Sequence, residues 1–216
     1  MKTWVILAIS TLSAPAAAAT CAPLGVVHIV ARETTPGIDP QSFNAKPVSL
    51  FRQGAGRSRL EEQPDEINKI QGLAVIDEPN IWMVNLMDRT GRHVVDPGPD
   101  FSAHASVFSD AKVSPRILEL EFGCEAAFVA ANAPKVDRTE TIDGVTLDVH
   151  RFADGTEVAE ILEKHGSDDP LIARYYRGGN LAWVIRYDLY DTQAPSDPSM
   201  FAAPPGIKYQ DTPVRP

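Results

Sequence analysis
Apolar and polar residues alternate along most of this chain in short segments, each closed by turn residues. Val48 to Arg52 ends at Gly54-Ala55-Gly56, Ser58 to Glu62 ends at Pro64, Ile67 to Ile76 ends at Glu78-Pro79-Asn80, and Ile81 to Met87 ends at Arg89-Thr90-Gly91. The later part repeats the pattern. Val145, Leu147 and Val149 alternate with Thr146, Asp148 and His150, and Asp154-Gly155 turns the chain into Val158 to Glu163. Leu171 to Arg177, a Gly178-Gly179-Asn180 turn and Leu181 to Tyr190 follow. Period-two patterning with regular turn punctuation predicts an antiparallel sheet. In the last strand Leu181, Trp183, Ile185, Tyr187 and Leu189 form the expected core face, and Asp148 and Glu160 are expected on solvent faces.

Segment 81–87 departs from alternation: Trp82, Val84 and Leu86 on one side are matched by Ile81, Met83 and Met87 on the other, which predicts cover on both faces. A helix is expected over Cys124 to Asn132, whose Glu125-Ala126-Ala127-Phe128-Val129-Ala130-Ala131 is rich in helix formers and stops before Pro134. Ile117 to Phe122 alternates and is expected to be a strand leading into it. Segment 100–115 is expected to be irregular. Residues 20–46 are predicted to form an extended arm with one short strand at Val26 to Val30, and the domain proper runs over 47–208. The proline-rich stretch after Thr192 is expected to pack as a strap anchored by Phe201 and Ile207, with 209–216 as a tail.

The first residues change the picture of where the chain works. Lys2, an apolar run from Trp4 to Leu12 and Ala-x-Ala sites within Ala16-Ala17-Ala18-Ala19 are the marks of a cleaved secretory signal over 1–19. That run is shorter than the ~20 residues needed to span a bilayer, so no transmembrane segment is expected, and the mature protein is placed in the periplasm or outside the cell. Cys21 and Cys124 are the only two cysteines. In an oxidising space they are expected to pair within the chain. An inter-chain bridge, a buried free Cys124, or acylation of Cys21 are the alternatives, and Ala18 and Thr20 fit a lipoprotein signal poorly. The formal charge of −9 becomes −10 once Lys2 is removed, which argues against a nucleic-acid partner.

The chemistry-bearing residues form no recognisable motif. His93, Asp96 and His104 sketch a metal site without the spacing of a helical His pair or a cysteine ligand, and no cofactor or metal is expected. Ser58 follows Gly54-Ala55-Gly56-Arg57, which is neither a nucleophile elbow nor a phosphate loop. No catalytic residue is predicted, and the protein is read as a non-enzyme. What recurs is an apolar face carrying Trp82, Met83, Tyr175, Trp183 and Tyr187. One short helix is too small to cover so wide a sheet, so Trp82, Met83, Trp183 and Tyr187 are the expected wall of an open cavity for a hydrophobic small molecule or lipid. Trp82 and Trp183 are expected to project to the same side. The competing expectation is a filled core, and with it a structural module that contacts another envelope protein.

The strand Val48-Ser49-Leu50-Phe51 followed by Gly56-Arg57-Ser58-Arg59-Leu60-Glu61, the strand Ile81-Trp82-Met83-Val84-Asn85 and the closing Met200-Phe201-Ala202-Ala203-Pro204-Pro205-Gly206-Ile207 resemble the periplasmic lipoprotein carriers, the LolA-like and LolB-like proteins. The resemblance spans 47–208. It implies a mainly β (α+β) fold, a curved antiparallel sheet forming an unclosed half-barrel with one or two short helices on the concave side, and carriage of lipid or acyl chains. A bridge between Cys21 and Cys124 is not a general feature of those proteins.

Overall fold
The computed structural model describes residues 21–96, 98, 103–109 and 112–211, so the expected signal segment and the end of the tail lie outside the described residues. Half of the chain is strand, and the strands form one twelve-stranded sheet that does not close into a barrel, accompanied by two short helices. In chain order they are β1 (Val26–Glu33), β2 (Val48–Gln53), β3 (Arg57–Glu61), β4 (Gly72–Asp77), β5 (Asn80–Asn85) and β6 (Thr90–Val95). Then come α1 (Pro115–Leu118), α2 (Glu125–Asn132), β7 (Val136–Ile142), β8 (Val145–Asp154), β9 (Glu157–Lys164), β10 (Pro170–Arg177), β11 (Asn180–Ala194) and β12 (Lys208–Asp211). Across the sheet the order is β12-β6-β5-β4-β3-β2-β1-β11-β10-β9-β8-β7. Every pair is antiparallel except β12, which runs parallel to β6. Hairpins follow from turn chemistry: Asp143 and Gly144 both take positive φ (51° and 79°), the conformation that two-residue turns between right-twisted strands require.

Several expectations change in the structure. The predicted arm supplies β1, which lies at the middle of the sheet between β2 and β11. Ile117 to Phe122 is not a strand. Ser114 accepts a hydrogen bond from the Ile117 backbone N–H at 3.2 Å and Pro115 starts the single turn α1. Ile117 and Leu120, three residues apart, are the two that become fully buried. Thr90–Val95 and Val136–Ile142, which lack a clear apolar alternation, are strands β6 and β7. Tyr209 belongs to β12 rather than to a free tail.

Register assigns every strand to two faces. Ile29 and Ala31 of β1 oppose Leu50 and Val48, Leu50 opposes Leu60, Leu60 opposes Ala74, and Ala74 opposes Met83. Towards the other edge, Ala31 opposes Tyr187, Trp183 opposes Tyr175, Tyr175 opposes Ala159, and Ala159 opposes Phe152. Directly opposed residues share a face, so this is one continuous surface, here the helix face. On it Tyr175, Ile161, Ala159, Ala173 and Phe152 pack with Ile117, Phe128 and Val129 of the two helices into the main core. The disulfide Cys21–Cys124, with Cα atoms 5.7 Å apart, ties the start of the described chain to the residue preceding α2.

The opposite face carries two smaller clusters. Leu147, Val149, Leu162 and Ile172 are buried at the β7 side. Leu73, Val75 and Val84 are buried at the β6 side, where Ile207 and Tyr209 of the C-terminal strap pack with Trp82 and Leu86. Glu160, expected on a solvent face, is buried beside the first of these clusters. Arg138 reaches its two oxygens at 2.9 and 3.0 Å, and the Tyr176 hydroxyl donates to it at 3.3 Å, so the charge is paired where it is desolvated.

Candidate functional site
A cleft of about 570 Å³ opens on the helix face between the sheet and residues 104–109. Its floor is apolar because β1 to β4 present Ile29, Leu50, Leu60, Ala74 and Ile76 in one row, the consequence of the registers above. Trp183 closes it on the β11 side, and the Phe108 ring stacks parallel to the indole at 6.2 Å. The overlying segment is not a strand of the sheet and makes one isolated antiparallel bridge, Ser106 to Glu121. Its backbone is held by Ala103 N–H to Ala55 at 2.7 Å, Val107 N–H to Leu120 at 2.9 Å and a bond from Phe122 N–H to Ala105 at 2.9 Å. Ser106 donates its hydroxyl to Leu118 at 2.6 Å.

A buried charge cluster anchors this cover. Arg52 lies on β2, fully buried beside the apolar floor, and its guanidinium pairs with Glu121 and donates to the carbonyls of Cys21, Ala103 and Phe122. One arginine therefore joins the sheet, the disulfide-linked start of the described chain, the residue preceding the covering segment and the stretch before α2. The second Glu121 oxygen accepts from Nδ1 of His104 at 2.8 Å. A carboxylate paired with arginine only accepts, so Nδ1 carries the hydrogen. His104 lines the cleft with its side chain 68% exposed.

A second polar cluster lies deeper. Glu125, the first residue of α2, is fully buried, and its oxygens accept from Tyr187 at 2.9 Å, Tyr190 at 2.7 Å and the Gly123 N–H at 2.8 Å. Burial pushes its carboxyl up to about 7 against the opposing effect of those donors. Burial first, then the neighbouring carboxyl, raises both phenols. The two tyrosines reach one carboxyl because the β1–β11 register shifts between Leu189 and Tyr187, which turns Tyr190 in place of Leu189 onto the helix face and leaves Leu189 exposed.

The four residues expected to wall one cavity separate. Trp183 lines the cleft. Tyr187 is committed to Glu125 beneath α2. Met83 shares the helix face but is exposed, in a second depression of about 460 Å³ near Arg92 and Gln210. Trp82 opposes Val75 and lies on the other face, stacked on His93 at 5.3 Å. The expectation that Trp82 and Trp183 project to one side is therefore corrected: the strand order between β5 and β11 inverts the parity of the two positions. Strand β5 is not covered by α2 on its second face. His93 bonds Asn80 and His104 bonds Glu121, and among the described residues no group of three or more His, Cys, Asp or Glu side chains is placed to hold a metal ion. Arg52, Glu121 and Glu125 were not singled out in the sequence. An arginine at an inward position of a strand, Leu50-Phe51-Arg52, was the one signal that could have found them.

No protein family and no curated protein matches the sequence. Among solved structures the chain is similar to an uncharacterized conserved protein from Thermus thermophilus, with a TM-score of 0.50 and 7% identity over 88% of this chain and 91% of that one. PNGF-II, in C2 and P21 crystal forms, aligns at TM-scores of 0.35 and 0.34 with 11% and 13% identity. Those alignments cover 87% of this chain and only 31% and 32% of PNGF-II. The Thermus likeness bears on the fold alone.

Proposed function
We propose that this protein binds a hydrophobic small molecule or an acyl chain in the cleft between the β1–β4 floor and residues 104–109, without chemical conversion, in the periplasm or outside the cell. The observation that carries the reading is a cleft of about 570 Å³ whose floor is aliphatic and whose end wall is Trp183. That size falls within the range of about 300 to 1,000 Å³ common for small-molecule sites. Two further features support it. The disulfide Cys21–Cys124 suits an oxidising compartment, and among the described residues no helix is long and apolar enough to cross a membrane. The resemblance to the lipoprotein carriers implies the same class of ligand.

Titration with the uncharged fluorescent probe N-phenyl-1-naphthylamine tests it. Saturable binding is expected, with quenching of tryptophan emission. Ala74→Trp, which fills the floor of the cleft at a position that is not fully buried, is expected to weaken binding at least tenfold while leaving the fold intact by circular dichroism. Absence of saturable binding, or equal binding by the filled variant, would remove the ligand reading and leave the sheet as a module for contacting an envelope protein.

A further inference from the structure
We propose that His104 is the polar anchor of the cleft and selects a long-chain carboxylic acid, an inference that rests on the ligand-binding reading above. The cleft is apolar along its floor, so a bound chain gains its affinity there and its polar end must find a partner at the rim. His104 is built for that contact. Its Nδ1 is committed to Glu121 at 2.8 Å, which fixes the ring, and Nε2 makes no hydrogen bond to any described residue. The fixing group is itself fixed, since Glu121 has only 7% of its side chain exposed and is paired with the fully buried Arg52. An exposed imidazole held by a buried ion pair is a positioned group, in contrast to His165, whose partner Asp148 forms no such buried pair.

Charge and proton count favour a carboxyl group over other polar ends. Arg52 and Glu121 cancel, so the imidazole contributes the only unbalanced charge of the cluster when it is protonated, and a carboxylate completes the neutral set. When the imidazole is neutral, Nε2 is an acceptor and receives the hydrogen of a protonated acid. These are two forms of one singly protonated pair, with one proton between Nε2 and the carboxyl oxygen. An ester offers only an acceptor and loses that bond whenever the ring is neutral. Glu121 acts through His104 and is a positioning residue.

Competition against N-phenyl-1-naphthylamine with dodecanoic acid and methyl dodecanoate tests the assignment on the whole mature protein. Wild type is expected to prefer the acid by about fivefold, the gain of one partly exposed hydrogen bond. His104→Leu is expected to lose the preference, so that acid and ester compete equally against the dye whatever its own affinity for this variant. Because His104 is largely exposed, this variant should fold, and circular dichroism checks it. Glu121→Gln is expected to reduce the preference in part while His104 remains. As an independent readout, the Nε2 resonance of His104 should move further on adding the acid than on adding the ester. Equal competition by acid and ester in wild type, or a preference retained by His104→Leu, overturns the anchor while dye binding keeps the cleft reading. Failure of the dye to bind at all overturns both.

Discussion
The two ends of this sheet use the same strand geometry and reach different degrees of closure. From β8 to β10 both faces are filled: Tyr175, Ile161 and Phe152 pack under the helices, and Leu147, Val149 and Leu162 are buried behind them. From β4 to β6 only the face beneath the C-terminal strap is filled, by Leu73, Val75 and Val84, while Ala74, Ile76 and Met83 on the helix face have no helix over them. The difference comes from where the non-strand chain goes. Both helices lie between β6 and β7 in sequence and pack toward the later strands. The earlier strands receive only the extended cover of residues 104–109, which shields a floor without filling it. A sheet of this width can thus be a filled core at one end and an open cleft at the other.

Removing a large ring from the filled end should give the largest effect. Tyr175→Ala, at a fully buried position, is expected to cost about 4 kcal/mol in denaturant unfolding. A loss below about 1 kcal/mol would show that this end is also loosely packed and would erase the contrast. The seam between the ends is tested through Glu125. Its folded carboxyl titrates near 7 against an ordinary value of 4.5. Between those values the unfolded chain ionises while the folded one keeps its proton, so stability falls as pH rises through that window and levels off above it. The full cost is about 3 kcal/mol. Glu125→Gln should abolish this slope and make the protein more stable than wild type at pH values above the window, read as urea midpoints across pH. The open end supplies the smallest effect: Met83→Ala, 46% exposed, is expected to change stability by no more than about 0.5 kcal/mol. A cost of several times that would mean the open surface is covered in solution.

The same contrast decides what could be read from the sequence. Strands β8 to β11 announce themselves through short apolar segments between turn residues, with alternation as in Val145, Leu147 and Val149. Strand β7 escapes since an edge strand rich in charge, Asp137-Arg138-Thr139-Glu140, leaves no apolar period to detect. Strand β1 shows as a short apolar run, yet nothing local reveals that it sits at the centre of the sheet, because pairing with β11 depends on residues more than a hundred positions away. The cleft was legible only as a surplus of apolar area over helix. Trp183 could be named, but the parity that sends Trp82 to the far face is set by counting register across six strands. Buried ion pairs such as Arg52–Glu121 are the least legible, because burial that makes a charge meaningful is a property of the assembled fold.

Strand β1 also sets a schedule. Its partners are β2, made soon afterwards, and β11, with Val26 opposite Ala194 and Glu33 opposite Ile185. While the chain is being delivered from its N-terminus, the first six strands can assemble with one flank of β1 unpaired, and that flank offers its backbone to any passing strand until nearly the whole sequence has arrived. Completion is therefore a late event governed by a long loop closure, which is intrinsically slow. The bridge between Cys21 and Cys124 can form before β11 exists, holding the early strands to the start of α2 through the interval when their edge is bare.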